Sequence, residues 1–275
     1  MVSVIWSRRA IPLAWRLLPH IGNSNQEEQE SVLSSVLGIF NDYQIVVLGD
    51  REFCSVDLAT WLQARNVGFC LRLKKAICLE VENQIWQRLD ELPIKQGVAL
   101  YYQGKRIRKT EPVSGFFLAA KWQRNYRNQT TKEPWYILTN LGSLTGAIQA
   151  YKKRMGIEEM FRDCKSGGYN LEGTGLRGNR LNSMILVMSL AYLKSTVQGD
   201  EINRHQEKKY VCRPKEAGRI YRKRSTFGVG LDGENWVKNL EQYHQLTAEL
   251  TSKSPHKRRF YQRGIRAQTI IRSIS

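Results

Sequence analysis

Ile45-Val46-Val47-Leu48-Gly49-Asp50-Arg51-Glu52-Phe53 joins four consecutive apolar residues to a glycine, an aspartate and a charged turn. A continuous apolar run of this length predicts a strand buried on both faces, as in a sheet covered by helices. Gly49 ends the strand, and Asp50 then stands just past its C-terminal end, the edge at which open α/β sheets bind ligands and metals. On position alone, an ordinary turn or N-cap aspartate before a helix is the plainer account of Asp50.

The flanks extend the same pattern. Upstream, Gly22-Asn23-Ser24-Asn25 is a loop with capping residues, and Val32, Leu33, Val36, Leu37 and Phe40 follow at helical spacing. Before it, Val2–Trp6 and Ile11–Leu18 predict a strand pair, the second made irregular by Pro12. Downstream, Leu58, Trp61 and Leu62 mark a short helix and Phe69–Leu73 a further strand. Helix alternating with strand predicts an α/β core. Short aromatic runs, Val98–Tyr102 and Phe116–Trp122, interrupt it between basic turns, so residues 76–134 form a β-rich insertion between core segments 1–75 and 135–200. Trp135–Thr139 restores the buried-strand signal. Ser143 caps a long helix from Leu144 to Lys165 that stops at Gly167-Gly168, and a further helix covers Asn182–Val197.

Composition limits the function classes. The chain has 275 residues, 41% hydrophobic and 10% aromatic, and 43 Lys and Arg stand against 25 Asp and Glu, a formal +18. Such an excess points to a polyanionic partner and away from a small acidic metabolite. No run of about 18 apolar residues is present, so nucleic acid is expected before membrane. Five scattered cysteines without a C-x-x-C pair predict reduced thiols in a cytosol, and the four histidines form no ligand set. Residues 201–275 carry 17 Lys and Arg against 7 Asp and Glu, either a solvated basic tail or a DNA-contacting arm. Trp236, Leu240, Tyr243 and Leu246 within it hint at an amphipathic helix that packs on the core.

Tyr151, Arg154, Glu158 and Lys165 lie at offsets of 0, 3, 7 and 14. On one helix, at about 100° per residue, they share a stripe of roughly 60°. Spacing that normally selects an apolar seam here selects a phenol, a guanidinium, a carboxylate and an ammonium. Such a face meets water, charge or a ligand, and a solvated Arg154–Glu158 pair is the plain alternative.

This Tyr-x2-Arg-x3-Glu-x6-Lys pattern resembles the signature of the insertion sequence 4 family of DDE transposases, with every spacing kept. Val47–Phe53 resembles the strand and Asp-Arg-Glu turn that hold the family's second catalytic aspartate. Arg9–Trp15 and Gly22–Ser24 resemble its lead-in, so the likeness covers roughly residues 1–195. It implies a ribonuclease H-like core interrupted by the β-rich insertion, with residues 201–275 as a basic C-terminal extension. It also implies a cut-and-paste transposase, bacterial and cytoplasmic, acting as a homodimer on the double-stranded DNA of transposon ends and target. Asp50 and Glu158 would be catalytic residues and ligands of two Mg²⁺ or Mn²⁺ ions, since hard cations take carboxylate oxygens. Tyr151, Arg154 and Lys165 would hold DNA phosphates. Trp135 resembles the position whose indole stacks on a flipped base, although Trp-Tyr-Ile-Leu is also good core-strand sequence. The family's first catalytic aspartate has no counterpart, since no Asp or Glu precedes Glu27 and Glu27, Glu28 and Glu30 suit a first helical turn. The core is therefore expected to lack its first strand and the chain to be the C-terminal part of such an enzyme, the alternative being an inactive DNA-binding remnant or inhibitor.

Overall fold

A computed structural model describes residues 1–20, 22–53, 55–124, 133–165, 169–212, 224–252 and 254–274. The chain divides into two compact units, Met1–Val2 with Leu13–Met155, and Ser3–Pro12 with Gly156–Ser275.

The first unit is built on five strands: β3 (Val46–Gly49), β4 (Gly68–Arg72), β7 (Ala99–Tyr102), β8 (Phe117–Lys121) and β9 (Trp135–Thr139), in the order β3-β4-β9-β8-β7. β3 and β4 are parallel, and the remaining pairs are antiparallel. The runs of β4, β8 and β9 are buried as their composition demands, with Phe69, Leu71, Leu118, Ala120, Tyr136 and Leu138 in one layer and Cys70, Ala119 and Ile137 in the other. The two-sided burial expected of the 45–48 run does not hold, because β3 is at the end of the strand order, with Val46 exposed and Val47 and Leu48 partly buried. Thr139 Oγ1 donates to the Phe69 carbonyl at 2.6 Å, and Asn140 bridges the Phe69 N–H and Val67 carbonyl at 2.9 and 3.0 Å, which pins β4 against β9. The two strands of the β-rich stretch that carry aromatic runs, β7 and β8, are hydrogen-bonded into this same sheet. A separate hairpin is made by β5 (Cys78–Glu82) and β6 (Ile85–Arg88).

Helix α1 (Gln26–Leu37) begins in a capping box: Asn25 Oδ1 accepts from the Glu28 N–H, and Glu28 Oε2 accepts from the Asn25 N–H, both at 2.9 Å. Ser55 caps α2 (Val56–Gln63), whose Val56, Leu58, Ala59 and Leu62 are buried. Ser143 caps α3 (Leu144–Lys152), whose Ala147, Ile148 and Tyr151 cover the sheet face that carries Cys70 and Ile137.

In the second unit, α4 (Met155–Lys165), α5 (Gly178–Arg204), α6 (Lys208–Val211), α7 (Thr226–Gln242), α8 (His244–Ser252) and α9 (Arg258–Ile274) form a helical layer. Strands β1 (Val2–Trp6) and β2 (Arg9–Ala14) pair as expected. Ala10, Ile11, Met160, Met188, Tyr192 and Phe227 share one core and Ile202, Val229, Val237 and Ile271 another. The described part of residues 224–274 is mostly helix, with Trp236 partly buried on α7. The single amphipathic helix expected through Leu246 does not form: α7 ends at Gln242, and Tyr243 and Leu246 are exposed. The basic run 219–223 and the glycines 167 and 168 lie outside the described residues. Among the described residues, no helix is long and apolar enough to cross a membrane.

Candidate active site

Strand polarity gathers the candidate residues of the first unit. With Gly49 opposite Leu71, Arg72 opposite Ile137, and Lys121 opposite both Trp135 and Ala99, the same end of the sheet carries Asp50, Arg72, Trp135 and Lys121. Asp50 follows β3 directly. Its Oδ1 accepts the Glu52 N–H at 3.1 Å, and its carbonyl accepts from Phe53 N at 3.1 Å, closing the 3₁₀ turn Arg51–Phe53. The turn explanation for this aspartate is therefore correct as local structure, yet it uses only one carboxylate oxygen.

The other oxygen, Oδ2, faces Arg154 Nη1 at 3.5 Å, across 104 residues of sequence. Arg154 reaches it because the helix expected over 144–165 is broken. α3 ends at Lys152, a turn closes with Arg154 N donating to the Tyr151 carbonyl at 3.0 Å, and α4 starts at Met155. The four signature residues consequently do not share one helical stripe. Tyr151 is buried and Arg154 sits in the break, with its side chain 13% exposed against 38% for Asp50.

Tyr151 packs edge-on against Trp135, with ring centroids 5.2 Å apart, and the Arg154 guanidinium lies 5.6 Å from the Tyr151 ring. Burial pushes the Tyr151 hydroxyl above the ordinary phenol value, while the guanidinium groups of Arg154 and Arg72 pull the other way. Trp135 is partly buried at the start of β9, so part of its indole packs on the core and part is open.

Spacing alone missed two neighbours. Arg72 ends β4 beside the Asp50 strand, and its Nη2 lies 3.2 Å from Glu133 Oε1. Burial lowers its pKa, with the Tyr151 hydroxyl opposing. Glu133 is also paired with Arg51. The only sequence signal for Arg72 is a charged residue closing a buried strand, and parallel register decides that it faces this turn.

The second unit holds the other two candidates on α4. Glu158, Phe161, Arg162 and Lys165 line a shallow cavity of about 610 Å³. Lys165 Nζ pairs with Glu172 Oε1 at 2.6 Å. The adjacent acids have structural partners: Arg9 binds Glu159 at 3.1 Å and Asp163 at 3.2 Å, and the Tyr192 hydroxyl donates to Asp163 at 3.2 Å. Asp163 and Arg9 are buried, and desolvation raises the carboxyl's pKa against the pull of the guanidinium. Glu158 is the acid of that turn that lines the cavity.

The donor chemistry of Asp50 and Glu158 suits a hard divalent cation in kind, since both offer carboxylate oxygen and Asp50 holds its arginine at longer than usual charge-assisted distance. In number, no group of three His, Cys, Asp or Glu side chains able to hold a metal occurs among the described residues.

No curated protein matches this chain. Residues 20–193, from the loop before α1 into α5, match the family model described as a transposase DDE domain. That match spans more than half of the chain and contains Asp50, Trp135, Tyr151, Arg154, Glu158 and Lys165, so the protein belongs to the family of DDE-domain transposases.

Proposed function

We propose that the protein is a cut-and-paste transposase of the insertion sequence 4 type, with a ribonuclease H-like core, that cleaves DNA at its element's ends and joins the freed 3′-hydroxyls to target DNA. The observation that carries this is the 3.5 Å approach of Arg154, one residue of the spaced signature, to the strand-end Asp50, 104 residues away in sequence.

In this scheme Asp50 and Glu158 would be ligands for a divalent cation, as DDE transposases use, which would supply charge neutralisation at the phosphate under attack. The chain's own residues do the rest. Arg154 leaves its long contact with Asp50 and forks onto the non-bridging oxygens. Tyr151, whose phenol is protonated at neutral pH, donates a hydrogen bond to a phosphate oxygen. Lys165 supplies a point charge, and the open edge of Trp135 stacks on an unpaired base. Attack of water on the phosphodiester releases the 3′-oxygen as a hydroxyl. That hydroxyl then attacks a target phosphodiester and displaces its 3′-oxygen, so one ester bond forms as one breaks. The working species is a homodimer on double-stranded DNA, DNA-associated in a bacterial cytoplasm.

Nicking of a supercoiled plasmid carrying the element's ends tests this. Cleavage is expected with Mg²⁺ or Mn²⁺, none with EDTA, and a fall of at least about a thousandfold in Asp50→Asn and Glu158→Gln with duplex affinity nearly unchanged. Binding without metal-dependent cleavage in the unsubstituted chain would reduce the function to DNA occupancy.

A further inference from the structure

At the same sheet end as Asp50, but at its far side, a second basic cavity of about 280 Å³ opens between the turn before β7, the end of β8 and the last turn of α3. Gly97, Lys121, Trp122, Gln123, Arg124 and Lys152 line it. Three cations from two separate elements converge there, and no carboxylate is among the lining residues. The charges arrive by construction. Lys121 closes β8 directly opposite Trp135, and Lys152 follows Tyr151 on α3, so both flank the aromatic corner of the candidate active site. The Gly97 N–H donates to the Trp122 carbonyl at 2.8 Å, and the Trp122 N–H donates to the Val98 carbonyl at 3.1 Å, which ties the two rims together. Gly97 has φ +86°, and a Cβ there would lie 2.6 Å from Arg124 Nε and 2.8 Å from Arg124 Cγ. A residue with no side chain is what lets the arginine lie across this turn.

We propose that this cavity binds a backbone phosphate of the DNA strand that crosses the sheet end past Asp50, outside the position of cleavage. Strands stand about 4.8 Å apart, so the three steps from β3 to β8 span roughly 14 Å, or about four base-pair rises along a duplex. Cations beside a backbone turn, with no carboxylate among the described residues lining the cavity, recognise a phosphodiester oxygen and carry no base code. The inference takes the identity of its strand from the DNA-cleaving scheme above, but its test requires no cleavage.

The test is fluorescence anisotropy of a labelled 40-base-pair duplex with the full chain in EDTA, across potassium chloride concentrations. Replacing Lys121, Arg124 and Lys152 together by glutamine should weaken binding at low salt at least about tenfold and reduce the slope of log K against log salt by at least about 0.9, the value of one lost phosphate contact. Exposed Lys152→Gln alone, which leaves the fold untouched, should lower affinity in the same direction, and Lys152→Arg should restore it. Inorganic phosphate at millimolar concentration should compete no better than its ionic strength explains, which separates a DNA site from a free-phosphate site. An unchanged slope in both the triple variant and Lys152→Gln would overturn the proposal. Because the readout excludes metal, a protein that binds with the expected slope but never nicks would sink the cleavage scheme alone.

Discussion

Tyr151 shows how one side chain joins packing to chemistry. Its ring is part of the core that covers Cys70, Ala119 and Ile137, and its edge meets Trp135, so its truncation removes a large buried aromatic. Tyr151→Ala should cost about 3 kcal/mol or more in urea unfolding, as other buried aromatic truncations do. Tyr151→Phe keeps the ring and removes only the hydroxyl that stands among Arg72 and Arg154. Its unfolding midpoint should match that of the unsubstituted protein while duplex affinity falls several-fold; equal losses in both variants would make Tyr151 purely structural. Arg154 differs, because its position in the break between α3 and α4 depends on backbone as well as charge. Lysine there would keep the charge but lose the fork that can hold a carboxylate or a phosphate with two donors.

Among the elements, the second unit depends on the approach of α5 to α7. A Cβ on Gly199 would stand 2.8 Å from the Gly230 nitrogen, and one on Gly230 would stand 2.7 Å from the Ser195 carbonyl carbon, so the two helix backbones touch where these glycines face each other. Gly199→Ala or Gly230→Ala must force the helices apart, and a loss of about 2 kcal/mol or more is expected from overpacking against rigid backbone, read by thermal or urea unfolding of the helical signal. The hairpin β5–β6, paired by its backbone and packed through Leu79, also carries a charged tie. Glu80 accepts both Arg106 Nε and Nη2 at 2.6 and 2.5 Å and the Gln84 N–H at 2.9 Å, which holds its carboxyl down to about 2. The folded pKa lies below the unfolded value of about 4.3. The tie is therefore fully present above that value and is lost as pH falls through about 2. The protection of amides in residues 78–88 relative to their intrinsic exchange rates should hold down to about pH 3 in the unsubstituted protein, whereas Glu80→Gln should lower that protection already at neutral pH.

At the scale of the molecule, the excess charge is not spread evenly. Along α9, Arg258, Arg259, Arg263, Arg266 and Arg272 occur with no acidic residue, and only Arg272 has a carboxylate partner, Glu241, among the described residues. Arg259, Arg263 and Arg266 share a stripe of roughly 60° at helical spacing. They are exposed, while Ala267 and Ile271 of the same helix are buried. Replacing these three arginines by glutamine should weaken binding to unrelated duplexes and to the element's ends alike, with a flatter salt dependence and unchanged sequence preference. An unchanged slope would make α9 a solvated structural helix. Substitution is the correct instrument here. Deleting residues 201–275 would remove α7 and α9, whose Phe227, Val229 and Ile271 belong to the cores of the second unit, and would confound charge with unfolding.

Period and composition determined much of this protein on their own. The apolar runs at 45–48, 69–73 and 135–139 became β3, β4 and β9, and Asn25 and Ser143 capped the helices they precede. These features depend on a few consecutive residues, whose burial and capping preferences act locally. The family was legible for a similar reason, since fixed gaps between polar side chains are a property of the chain itself. Tertiary structure decided what depends on distant partners. A helical period continues without interruption through 153 and 154, but the hydrogen bonds of the Tyr151–Arg154 turn break the helix there and turn the arginine towards Asp50. Arg72 joined the site, and Lys121 became Trp135's neighbour, through strand register, which arises from pairing between segments far apart in the chain, as Arg72 with Ile137, and leaves no periodic mark. The basic C-terminal segment was ambiguous for the same reason. Whether an arginine faces water or lies on a packed helix depends on α5 and α7, whose mutual approach rests on two glycines that no local pattern singles out.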